Sequence, residues 1–96
     1  MKYVDWSAEK NEWLQKERDI GFNDIKVALD EDGLLDIVPN PNIRRYPRQK
    51  VFIVKVRGYV YIVPFVEDAE KIFLKTIIPS RKATKYYLFS LKNKIL

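Results

Sequence analysis

Ser80, Arg81, Lys82, Ala83 and Thr84, with Lys85 directly after, form the stretch richest in groups that bind phosphate. It follows the apolar run "KIFLKTIIP" and leads into "KYYLFSLKNKIL", so a strand is expected to end at Pro79 and a helix to begin. Backbone N–H groups at a helix start favour an anion, and arginine adds a two-pronged contact to phosphate oxygens. A scissile phosphate fits there. The same residues also suit a plain solvated helix start capped by Ser80.

A second set, Lys55, Arg57, Tyr61 and Lys75, lies on or beside the most strongly strand-like part of the chain. Cleavage of RNA by its own 2′-OH needs a cation to stabilise the dianionic phosphorane and a group to move the hydroxyl proton. A lysine depressed by neighbouring cations, or a tyrosine, can move it. Lysine at a strand edge also serves simply to block aggregation, and a tyrosine within an apolar run suits a core. With no His and no Cys in the chain, Ser-His-Asp and Cys-His machinery, disulfides and His- or Cys-based metal sites are excluded. The acidic run "DEDGLLD" fails the calcium-loop pattern, because Gly33 follows its third acid directly and no Glu closes the loop. Three glycines leave no phosphate loop or dinucleotide fingerprint. No cofactor is implied.

Charge is divided along the chain. Residues 1–36 hold five Lys/Arg and ten Asp/Glu, a balance of −5, whereas residues 37–96 hold thirteen and three, a balance of +10. A one-signed field on part of a small domain attracts polyanions. Part of it sits in "PNPNIRRYPRQK", where Pro and Asn block regular structure and display Arg44, Arg45, Arg48 and Lys50 around Tyr46 on a surface loop. Ninety-six residues with this composition read as one domain, 1–96. The charged start "MKYVDWSAEK" and the lack of an apolar span point to the cytoplasm and away from a membrane.

The elements that must position these groups follow from periodicity. "YVDW" suits a short strand or an extended lead-in, and Ser7 caps a helix over "SAEKNEWLQKERD" with Trp6, Trp13, Leu14 and Ile20 toward one side. The two Trp, seven apart, read as core rather than as stacking surfaces. "FNDIKVALDED" is a shorter helix ended by Asp32-Gly33. "VFIVKVRGYVYIVPFV" is a hairpin turning at Arg57-Gly58, with Phe52, Val54, Val56, Tyr59, Tyr61 and Val63 on one face and Val51, Ile53, Lys55, Val60 and Ile62 on the other. Both faces are apolar enough to need cover. "IFLKTIIP" extends as one long strand, with Lys71, Phe73, Lys75 and Ile77 alternating against Ile72, Leu74, Thr76 and Ile78. On the last helix Tyr87, Leu88, Leu91 and Ile95 form an apolar stripe beside a basic one of Arg81, Lys85 and Lys92. The expected architecture is α+β: two N-terminal helices packed on a mainly antiparallel sheet of about four strands (34–38, 50–57, 59–66 and 71–79), then a C-terminal helix.

Two stretches, "VDWSAEKNEWLQKERDIGFNDIKVAL" and "FLKTIIPSRKATKYYL", resemble the BrnT family of toxins from bacterial type II toxin–antitoxin systems. With the hairpin between them the resemblance covers roughly residues 4–88, and the Ser80–Thr84 junction is its specific part. It implies a RelE-like fold acting as a metal-independent endoribonuclease on messenger RNA. It also implies inhibition by a cognate antitoxin, commonly of ribbon-helix-helix type, with operator DNA bound only through the complex. By position, Arg81 matches the family's junction arginine, while Lys50 and Arg57 fall in the less similar loop and turn. The roles expected are Arg81 for transition-state charge, Lys55 or Arg57 in support, and Tyr61 or Lys75 for the proton. Ser80, Lys82, Thr84, Lys85, Lys50, Arg44, Arg45 and Arg48 are then expected to hold RNA. The alternative is a non-catalytic binding module, either a degenerate toxin acting as co-repressor or a small RNA-binding domain.

Overall fold

The computed structural model describes residues 2–90. Leu91, Lys92 and Ile95, assigned above to the stripes of the last helix, lie outside the described residues. The elements run β1 Tyr3–Trp6, α1 Ala8–Arg18, α2 Phe22–Asp30, β2 Leu34–Pro39, β3 Lys50–Val56, β4 Tyr59–Glu67, β5 Lys71–Leu74, β6 Ile78–Pro79 and α3 Arg81–Thr84, which continues as a π-helical segment Lys85–Ser90.

Local chemistry sets the helices. Ser7 accepts the N–H of Lys10 at 3.2 Å to start α1, and the Asp24 carboxylate accepts the N–H of Gly21 at 2.9 Å at the head of α2. Asn11 Oδ1 takes the N–H of Phe22 at 2.7 Å, which fixes the corner between the two helices. Leu14, Ile20, Phe22, Ile25 and Leu29 are buried against Phe52, Val54, Val56, Val63 and Phe65 of the sheet. Each such side chain contributes about 1.5–3 kcal/mol by leaving water. Gly33 brings α2 close to β3: its N–H reaches Ala28 C=O at 2.9 Å and its C=O accepts Lys55 N–H at 2.8 Å.

The fold is α+β, as expected, and its sheet is mixed and larger than four strands. The order is β1-β5-β4-β3-β2, with β6 also on β4. β1 is a real edge strand and runs parallel to β5, whereas the other pairings are antiparallel. The hairpin register is as expected, with Val56 opposite Tyr59, Val54 opposite Tyr61 and Lys55 opposite Val60. Arg57 (φ 50°) and Gly58 (φ 77°) make its turn, both in the left-handed region that such tight hairpins require.

The long strand expected over 71–79 is in fact two. Between the pairs Phe65–Leu74 and Ile62–Ile78, β4 has two residues where its partner has three, Lys75, Thr76 and Ile77. The extra residue is a bulge, and it reverses the alternation. Ile77 therefore joins Leu74 in the core instead of sharing a face with Phe73, and Ile78 turns to the opposite side. Pro64 C=O takes the Lys75 N–H at 2.8 Å, and the Arg18 guanidinium of α1 donates to Ile77 C=O.

The two N-terminal helices cover the first sheet face, and the C-terminal segment covers part of the second. On the second face Val51, Ile53 and Val60 pack under Ala83, Tyr87 and Leu88 of the C-terminal segment. Trp13 is a correction: it is 44% exposed, with Lys10 and Arg18 at 4.6 and 5.1 Å from its ring, and only Trp6 packs inward, stacked on Phe22. A helix so rich in charge spends its inward side on Leu14 and leaves Trp13 to be covered by cationic stems.

Candidate nucleic-acid interface

The strand-to-helix junction is built around Val60. Its C=O accepts the N–H of Ser80 at 3.0 Å, and its N–H donates to Thr84 Oγ1 at 2.9 Å. Both backbone groups of Val60 are thus turned away from β3, so Lys55, directly opposite on β3, forms the closer, non-hydrogen-bonded kind of pair with it. Residues 55 and 80–84, far apart in sequence, thus lie on the two sides of Val60, near the turn end of β4. Ser80 Oγ accepts the Ala83 N–H at 3.0 Å and caps α3. Arg81, Lys82 and Lys85 are exposed there, and none of them forms an ion pair among the described residues.

The remaining nominated groups are distributed elsewhere. Arg57, at the neighbouring turn, points to the helices: it pairs with Asp24 at 3.5 Å and donates to Asp19 C=O at 3.1 Å. Tyr61 lies on the opposite sheet face, packed against the main core and edge-on to Tyr59. Lys75 sits in the bulge with its ammonium 5.5 Å from the Phe73 ring. Thr84 is 6% exposed. Its hydroxyl donates to Ser80 C=O at 2.7 Å while accepting from Val60, so both of its hydrogen-bonding capacities are engaged inside the protein and it fastens α3 instead of facing a ligand.

The loop cations form a separate group at the far end of β3. From Lys50 to Lys55 the strand rises about 17 Å, and Arg44, Arg45 and Arg48 are exposed beyond Lys50. Arg45 rests over Tyr46 at 5.5 Å. Lys50 and Lys2 both reach Glu67, at 3.4 and 3.1 Å, and their hydrogen bonds hold the Glu67 carboxyl below its ordinary range. Asp68 is likewise lowered, by the backbone N–H groups of Lys71 and Glu70. Among the described residues no three acidic side chains gather closely enough to hold a metal ion, and no described helix is long and apolar enough to cross a membrane.

Sequence reasoning missed the structural use of Thr84 and Arg18, because neither a buried hydroxyl nor a reach across the fold has a local signature. It also passed over Phe73, although an aromatic flanked at i−2 and i+2 by lysines is visible in "KIFLK". Compared with protein-family models, with curated proteins and with solved structures, the chain matches none.

Proposed function

We propose that this chain is the toxin component of a type II toxin–antitoxin system, a metal-independent endoribonuclease that cleaves messenger RNA and is neutralised by a cognate antitoxin. The observation that carries the reading is that Val60 has Lys55 of β3 on one side and Ser80 on the other, next to Arg81, Lys82 and Lys85, exposed cations that form no ion pair among the described residues. Two cations from separate elements then face one phosphate: Arg81 stabilises charge on the phosphorane and Lys55 supports it. The antitoxin, its ribbon-helix-helix type and the RelE-like fold rest on the resemblance of residues 4–88.

The test is induced expression of wild type and Arg81→Ala in a host without antitoxin, following growth and mapping new RNA ends. Arrest with new ends from wild type alone is expected. Undiminished toxicity of folded Arg81→Ala removes the assignment.

A second reading, the non-catalytic RNA-binding module, is favoured by one observation. Tyr61 lies on the other face of the sheet from Lys55 and the junction, which leaves that end without the phenol as proton acceptor. Salt-sensitive RNA binding without cleavage products supports it.

A further inference from the structure

Among the described residues, the C-terminal segment 81–90 covers only part of the second sheet face. It packs over β2, β3 and the first half of β4, and these residues leave a strip along β5 and the far half of β4. At the centre of that strip is Phe73, opposite Val66 and only half-buried. Lys71 and Lys75 place their ammoniums 5.8 and 5.5 Å from the ring. Beside the ring a groove of about 400 Å³ runs to Arg48 at the start of the loop end.

Charge in this strip is unevenly satisfied. Asp5 is taken by Lys71 at 3.6 Å, and Glu67 by Lys2 and Lys50. The Asp68 carboxylate is turned into its own turn, accepting from Glu70 and Lys71 N–H groups at 2.9 Å each. Arg48 and Lys75 have no carboxylate partner among the described residues. The result is a half-buried aromatic ring with a cation toward each end of the strip that forms no ion pair among the described residues, Lys75 resting against the ring itself, which suits a polyanion that carries flat rings along its length.

We infer that Phe73 is a base-stacking platform for single-stranded RNA, with Arg48 and Lys75 holding the phosphates on either side of the stacked base. This rests on the RNA-directed reading above and extends it to a subsite that the junction does not contain. A π-face accepts any base, so the platform contributes affinity without sequence preference. It excludes duplex, whose bases are already stacked. The strip also continues toward the junction, since Ile78, 41% exposed on the same side, lies between it and Arg81.

The experiment is fluorescence anisotropy with a short labelled single-stranded oligoribonucleotide, using intact protein and variants checked for folding by circular dichroism. Phe73→Ala and Phe73→Leu are expected to weaken binding about tenfold, since stacking on an aromatic is worth about 1–3 kcal/mol per base. Phe73→Tyr is expected to restore it. The salt slope stays as in wild type for Phe73→Leu, because no phosphate contact is lost, and falls by about 0.7 for Lys75→Ala. Binding by Phe73→Leu equal to wild type, or equal competition by the duplex of the same sequence, overturns the platform. If Arg81→Ala and Lys82→Ala, measured in the same assay, lose affinity in that case, the RNA-directed reading stands without it. Wild type that binds no RNA overturns both.

Discussion

Thr84 Oγ1 accepts the N–H of Val60 at 2.9 Å and donates to Ser80 C=O at 2.7 Å, so one buried hydroxyl ties the first turn of α3 to the middle of the sheet. Thr84→Val keeps the shape and strips both bonds, leaving the Val60 N–H without its partner. We expect a loss of about 1–3 kcal/mol, read as a lower denaturation midpoint at unchanged slope. Thr84→Ser, which keeps the hydroxyl, should lose less; equal losses would show that the methyl packing, not the hydrogen bonds, holds the junction.

Placement predicts an asymmetry between nominated catalytic groups. Tyr61→Phe, on the face opposite the junction, should leave RNA cleavage within about twofold, whereas Lys55→Ala should lower it by about 10²-fold, the scale for removing one preorganised charge-stabilising donor. The reverse order, measured on one RNA with both proteins folded, would move the chemistry to the helix-covered face.

Both edges of the sheet carry the same device. On β1 the Asp5 carboxylate accepts the N–H of Trp6, and on β2 the Asp36 carboxylate accepts the N–H of Ile37, each at 2.8 Å. Pro39 removes a further donor from β2. Edge groups occupied in this way cannot template another strand. Asp36→Ala should raise the apparent mass in sedimentation at high protein concentration, helped by the 49% exposure of Ile37; a strictly unchanged mass would mean that the edge is protected otherwise.

Burial pushes the Tyr87 phenol up, and its 3.2 Å hydrogen bond to Asp36 adds to the shift. The folded value lies above the unfolded one of about 10, so the stabilisation is complete below about pH 10 and is lost as pH rises through the folded value. Tyr87→Phe should flatten that alkaline decline in stability. Glu67 works in the opposite sense: its carboxyl is lowered, so its small surface contribution is present above the unfolded value of about 4.3 and fades as pH falls through the folded one.

Gly33 is a packing requirement. A Cβ there would stand 2.6 Å from Ala28 Cβ and 2.8 Å from Lys55 C=O, so Gly33→Ala should cost about 1–3 kcal/mol by overpacking. For a domain of this size that lowers Tm by about 4–8 °C per kcal/mol. An unchanged Tm would mean that α2 and β3 separate there without loss.

Much of the local structure was legible in the chain itself. Ser7 and Ser80 as caps, the turn at Arg57-Gly58, the hairpin register and the two-faced apolar pattern all depend on residues within a few positions of one another, where hydrogen-bonding reach and side-chain alternation are determined by spacing. The basic second half was equally plain, because charge needs no fold to be counted. Tertiary structure decided what alternation could not. One extra residue at Lys75–Ile77 reversed the faces of Ile77 and Ile78, and β1 gained its place only by pairing with β5, some sixty-odd residues away in register. Whether a polar or charged group is available to a ligand was likewise a tertiary matter: Thr84 is spent on Val60 and Arg57 on Asp24, whereas Lys55 and Ser80, the residue before Arg81, are brought to the two sides of Val60. Those outcomes depend on partners distant in sequence, and only the packed sheet and helices bring such partners within hydrogen-bonding distance.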